Sequence, residues 1–216
     1  MIHLEVLPPA QRALWEEDIG SISQGWVLYG GTAVALHLGH RQSLDFDFFS
    51  ADPLDRTALR RSTLLAGART LQDEPDTLTV AVEKAGSPLK LSFFGGIGFG
   101  RVGEPLCVEG RVPIASRLDL LGVKLATVTQ RIEARDYLDI AALLASGLTI
   151  NEGVAALLAL FGSQASGLQS VKTITWFKDG GLDVALPGEV KETLARAAAT
   201  YDPRTPPAPK LSARLD

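Results

Sequence analysis

Apolar residues change their spacing near residue 115. Ahead of that point they fall in short runs and alternations bounded by glycine and proline, a mixture of helix and strand signals. Pro8 and Pro9 precede a helix through Trp15 and Ile19, and WVLYGG (Trp26 to Gly31) reads as a short buried strand stopped by glycines. Thr32 to Leu38 reads as a helix ended by Gly39, Leu44 to Phe49 as a strand, and Leu54 to Leu65 as a helix. TLTVAVE (Thr77 to Glu83) and LKLSFF (Leu89 to Phe94) alternate as strands do, and PLCVEGRVPI, with Glu109 and Gly110 at its centre, predicts a hairpin. From Ser116 onward the steps become helical: Leu118, Leu121, Leu125, Val128 and Ile132 form one stripe, opened by the capping-box pair Ser116 and Asp119. The pattern predicts an α+β fold, with a mixed β-sheet flanked by helices over residues 1–115 and a helical part packed on it over 116–200. The tail, 201–216, is rich in proline and charge, and reads as extended and mobile without a packing role.

The strand at Leu44 to Phe49 carries the first chemistry. Residues two apart in a strand share a face and lie roughly 6.5 Å apart, so Asp45 and Asp47 stand together while Leu44, Phe46 and Phe48 enter the core. Two carboxylates at that spacing repel unless a positive group lies between them. One reading is an amphipathic strand with a wet face. The other is a divalent-cation site, in which hard carboxylate oxygens hold Mg²⁺ and leave positions for phosphate oxygens. The residues just upstream favour the second. A Gly-Gly turn leading into a helix lets backbone approach an anion and presents unpaired N–H groups to it. In GHRQS, the loop between that turn and the strand, Arg41 and Ser43 could touch a bound phosphate, and Lys90 shares a strand face with Ser92.

Composition narrows the class. Hydrophobic residues are 46% and charged residues 21% of the 216, enough for a sizeable core. The net charge of −4 argues against a surface that is wholly a nucleic-acid platform, though a local basic cleft is compatible with it. Cys107 is the single cysteine, so neither an internal disulfide nor a cysteine metal cage can form. With no signal-peptide pattern and no apolar run of about 18–20 residues, the expectation is a cytoplasmic protein with no membrane partner. GFGRVG (Gly98 to Gly103) satisfies a dinucleotide fingerprint by letter, but a hairpin pattern follows it where a helix is required.

YGGTAVALHLGHRQSLDFDFFS resembles the signature of the nucleotidyltransferase superfamily that includes DNA polymerase beta. More narrowly, GGTA…LHLGHRQSLDFDFFS is similar to the AbiEii/AbiGii-type nucleotidyltransferases, the toxin components of abortive-infection toxin–antitoxin pairs. LKLSFFGG, ASRLDLLGVKLATVTQRIEARDYLDIAALL and WFKDGGL extend the resemblance to about Leu186. It implies a nucleotidyltransferase core in residues 1–115, with Gly30, Gly31 and Thr32 as the phosphate-binding turn and Asp45 and Asp47 as the magnesium ligands. It also implies Lys124 and Asp136 as a further active-site lysine and aspartate. The implied reaction is transfer of a nucleotidyl group from an NTP to an acceptor hydroxyl, the 3′ end of tRNA in related toxins, with an antitoxin protein as partner.

The residues themselves leave alternatives open in the helical half. Lys124 lies some 70° off the apolar stripe, where a lysine stem lies along apolar surface and its head reaches outward; Arg131 follows nearly the same line. Asp136 shares a helical face with Ile140 and Leu143, so it needs a cationic partner: Lys124 or a metal-bound ligand, or else a buried structural salt bridge. Asp139 reads as structural. The superfamily's third carboxylate is expected in LKLSFF, yet the polar position there is Ser92, a feeble magnesium ligand. A catalytically weak nucleotide-binding module engaging an antitoxin or another protein is the alternative that this departure raises.

Overall fold

The computed structural model describes residues 2–22 and 25–216. The chain divides into two compact units, one comprising Met1–Gly100, Glu104–Ser116 and Ser212–Asp216, the other Arg101–Gly103 and Arg117–Leu211.

The first unit is built on a five-stranded mixed sheet. Its elements are α1 (Pro9–Glu17), β1 (Val27–Tyr29), α2 (Gly30–Leu38), β2 (Asp45–Phe49), α3 (Arg56–Arg61), β3 (Arg69–Glu74), β4 (Thr77–Lys84) and β5 (Ser87–Phe94). The strand order is β1-β2-β5-β4-β3, with β2 and β5 parallel and the other neighbours antiparallel. Alternation along β2 decides its two faces. Phe46 and Phe48 are fully buried and form an aromatic row in which Trp15 stacks on Phe46 at 6.4 Å and Phe48 on Phe93 at 5.0 Å. Each such ring contributes about 1.5–3 kcal/mol by leaving water. That row fixes the register, because a slip of one residue would bury both aspartates.

Several sequence expectations change in detail. Leu44 lies outside β2 and is 68% exposed, so it does not join Phe46 and Phe48 in the core. The helix expected over residues 54–65 is α3 followed by a separate 3₁₀ turn, Thr63–Leu65, because Ser62 is extended. The hairpin expected at Pro105 to Ile114 reduces to a single antiparallel bridge between Leu106 and Ile114. Pro113 has no N–H to continue a ladder; its carbonyl instead accepts from Leu28 of β1. β3 has no counterpart in the sequence reading.

The second unit is helical: α4 (Arg117–Thr127), α5 (Ala134–Ala145), α6 (Ile150–Phe161), α7 (Gly167–Ile174), α8 (Leu182–Ala185) and α9 (Gly188–Ala199). Leu121, Leu125 and Val128 of the predicted stripe are buried, but α4 ends at Thr127 and Ile132 lies beyond it, 47% exposed. Gly122 of α4 and Gly153 of α6 set the approach of those two helices. A Cβ on Gly122 would meet Ala156 Cβ at 3.0 Å, and one on Gly153 would meet Leu121 at 2.7 Å. A complete capping box, Thr149 with Glu152, starts α6. No single helix among the described residues is long and apolar enough to cross a membrane.

Two segments acquire contacts that composition did not announce. In the glycine-rich loop, the amides of Val102 and Gly103 donate to the two carboxylate oxygens of Asp119, at 2.8 and 3.1 Å. The loop does cradle an anion, and that anion is the buried Asp119 side chain. Asp119→Ala strips both amides of their acceptor and should cost about 2–4 kcal/mol; a chemical-denaturation midpoint unchanged from wild type would contradict this. The tail has a packing role. Ala208 donates to the Ala155 carbonyl, Leu215 is buried, and Arg214 forks onto both oxygens of Asp52 at 3.0 and 2.9 Å. The fork holds the Asp52 carboxyl below its ordinary range.

Candidate active site

The first unit gathers eight of the sequence-predicted residues around the start of α2. The helix begins directly at Gly30, whose φ of +73° is open to glycine and strained for other residues. Tyr29 ahead of it provides no side-chain cap, and first-turn amides have no acceptor within their own helix. Absence of a Cβ is also a requirement of space. At Gly30 it would lie 2.3 Å from Asp47 Oδ2; at Gly31 it would lie 2.5 Å from Arg41 Nη2 and 3.1 Å from Ser43 Oγ. The Gly-Gly turn is thus the point where the Asp47 carboxylate, the Arg41 guanidinium and the Ser43 hydroxyl meet backbone.

β2 and its neighbours supply the rest. The Thr32 hydroxyl donates to the Asp45 carbonyl, tying the helix to the strand. Asp45 and Asp47 are partly exposed on the face opposite the buried Phe46 and Phe48. In the parallel pairing Asp45 stands beside Lys90 and Asp47 beside Ser92. Lys90 Nζ lies 3.3 Å from Asp45 Oδ2, which relieves part of the repulsion between the carboxylates. Ser92 is buried and accepts a long hydrogen bond, 3.4 Å, from Thr79. Two carboxylates therefore face two cationic side chains and an uncapped helix start: an arrangement for a polyanion that arrives with a divalent ion. Among the described residues no group of three or more His, Cys, Asp or Glu side chains is placed to hold a metal ion. Asp45 and Asp47 are the carboxylates that could hold a divalent ion; Mg²⁺ takes one or two carboxylates and fills its other positions with water and phosphate oxygens.

The second unit brings Lys124 and Asp136 together. Lys124 Nζ donates to Asp136 Oδ1 at 2.7 Å and lies 2.7 Å from Asp139 Oδ2. Arg131 donates from Nε to Asp136 Oδ2 at 2.9 Å and from Nη2 to Oδ1 at 3.3 Å. Lys124 does not reach outward along a helix flank: it is buried, as are both aspartates. The four charges sum to zero. Burial pushes the Asp136 carboxyl up, but the Arg131 hydrogen bond and the Lys124 and Arg131 charges outweigh it and hold the group below its ordinary range. A depressed native value means stability present above the unfolded value, about pH 4, and lost as pH falls below it. Thermal denaturation should thus show a Tm that drops on acidification below about pH 4, and an Asp136→Asn protein less stable at neutral pH with a flatter acid limb.

Sequence reasoning missed Arg131 as the fork on Asp136 and Asp139 as the second acceptor for Lys124. The available signal was the short break between α4 and α5, which lets Arg131 fold back onto the first turn of α5. It also missed that Asp119 serves the glycine-rich loop.

A mixed sheet with a Gly-Gly helix start beside an Asp-Phe-Asp strand belongs to an α+β fold of the nucleotidyltransferase type. The same fold is found in JHP933 from Helicobacter pylori, 19% identical with a TM-score of 0.57, the match covering 88% of each chain. A second H. pylori protein, described as a candidate nucleotidyltransferase, is 18% identical with a TM-score of 0.56, over 88% of this chain and 90% of that one. The family profile of the nucleotidyl transferase AbiEii toxin, of type IV toxin–antitoxin systems, matches residues 12–215. The chain belongs to that family. No curated protein matches it significantly.

Proposed function

We propose that this protein is a Mg²⁺-dependent nucleotidyltransferase acting as a toxin, which transfers a nucleotidyl group from an NTP to a hydroxyl of RNA, tRNA included, or of another acceptor, and which engages a cognate antitoxin. The observation that carries this reading is the convergence of Gly30, Gly31, Arg41, Ser43 and Asp47 on one turn. In it, the first-turn amides of α2 and the Arg41 and Lys90 side chains hold the triphosphate, with Ser43 donating a further hydrogen bond. Asp45 and Asp47 would hold the metal ion, whose charge would offset that of the phosphates. The acceptor oxygen forms its new bond to the α-phosphorus, pyrophosphate leaves, and the hydroxyl proton passes to water, because Asp47 would be held by the metal ion and the strand position beside it is Ser92. Within the second unit, Asp136 sets the direction of the Lys124 ammonium, and this pair is the further lysine and aspartate that the family resemblance implies.

The test is label transfer from each of the four NTPs to cellular RNA in the presence of Mg²⁺. Incorporation that disappears with EDTA and in Asp45→Ala supports the reading; no incorporation with any NTP and acceptor overturns it. Ser92 favours a second reading, a catalytically weak nucleotide-binding module that engages an antitoxin or another protein. Mg·NTP binding without turnover, and unaffected growth on overexpression, would select it.

A further inference from the structure

Outside the glycine turn, the second unit holds a cavity of about 450 Å³ that the reaction above does not use. It is lined by Thr129, Arg131 and Ile132 after α4, Lys172 from α7, and Trp176 and Asp179 after α7. Three features set its chemistry. Trp176 is 51% exposed, whereas Trp15 and Trp26 are 1% and 6% exposed. An indole left in water at a cavity is a stacking surface unless something else explains it. Its ring is already oriented: Nε1 donates to Asp179 at 2.8 Å, and Lys178 Nζ lies over the ring, 5.2 Å from its centre. The cations are placed likewise. Arg131 is held in direction by Asp136 while its side chain stays 46% exposed. Lys172 has no carboxylate within ion-pair distance among the described residues, and the Asp179 carboxylate, also in the lining, is engaged by the indole.

We propose that this cavity binds a nucleobase carrying a phosphate, the base stacked on Trp176 and the phosphate between Lys172 and Arg131. The size fits one nucleotide. Hydroxyl, amide and cationic groups interleaved with one aromatic ring suit a base and its phosphate better than the continuous apolar face of a docked helix. A free nucleotide and an unpaired nucleotide of an RNA strand share this chemistry. The inference rests on the transferase reading only for its choice of a nucleic-acid ligand.

The experiment titrates the full-length protein in EDTA, where metal-dependent binding at the glycine turn is suppressed. Ligands are nucleoside monophosphates and a short unstructured oligoribonucleotide. Trp176 emission is the readout, separable from the two buried tryptophans by its exposure. Quenching by the oligonucleotide alone assigns the cavity to a strand; equal quenching by monophosphates assigns it to free nucleotide; both support the proposal. Anisotropy of the labelled ligand should then show binding weakened about tenfold or more in Trp176→Leu and in Lys172→Glu, and weakened by added salt. Absence of any response to either ligand, or unchanged affinity in Trp176→Leu, overturns it. Label transfer by the wild type, run in parallel, reports separately on the transferase reading, since either result can hold without the other.

Discussion

Asp47→Asn should lower nucleotidyl incorporation by about 10²–10³-fold while leaving the melting temperature within a few degrees of wild type. The rate effect is the scale seen when one fixed electrostatic contact to a transition state is removed. The stability effect is small because the side chain is partly exposed and its neighbours Phe46 and Phe48 carry the burial. Gly30→Ala is the companion measurement. It adds no charge and removes none, but its Cβ would lie 2.3 Å from Asp47 Oδ2 at a φ of +73°. It should reproduce much of the Asp47→Asn rate loss by displacing that carboxylate, with about 1–3 kcal/mol of backbone strain besides. Incorporation at wild-type rates in either folded variant would remove the glycine turn from the reaction.

Lys124→Met should destabilise the protein by about 3–5 kcal/mol, the usual cost of leaving a buried charge without its partner. It leaves Asp136 paired with Arg131 and takes from the buried Asp139 the ammonium that lay 2.7 Å away. The compensating change is Asp139→Asn. The double variant Lys124→Met with Asp139→Asn restores a neutral set of Arg131 and Asp136, and should recover a good part of the loss, a coupling of the kind neighbouring sites show. The pair also separates structure from chemistry. A Lys124 that contacts the nucleotide predicts a folded but inactive double variant. Recovered activity on recovered stability would restrict the residue to holding α4 against α5.

What the sequence makes visible follows burial. β2, β4 and β5 alternate in apolar and polar residues because one face is packed, and the aromatic row through Phe46 and Phe48 makes β2 legible. β3 has the sequence RTLQDE with all six residues exposed; with no buried face there is no period to read. The glycine turn and the aspartate strand were legible together because they lie within eighteen residues of chain, Gly30 to Asp47, so local spacing carries their geometry. Around Lys124 the pairing with Asp136 was legible and the rest was not. Extending a 100° step past Thr127 assumes a helix that has ended, and so it places Arg131 and Ile132 on faces they do not occupy. GFGRVG shows the converse: its letters were set aside for want of a following helix, yet its last two amides cradle an anion, the Asp119 carboxylate.

β3 closes the sheet order with β4 on one flank alone. Its outer row of N–H and C=O groups is a template on which another polypeptide backbone adds, the usual origin of edge-to-edge aggregation. Charge guards it. Arg56 donates to Asp73 at 2.6 Å, Arg60 lies 3.4 Å from the same carboxylate, and Glu74 follows. Such guards are screened within about 10 Å at 0.1 M salt, so concentrated stocks of this protein will keep best at low ionic strength, where the border charges still repel an incoming strand.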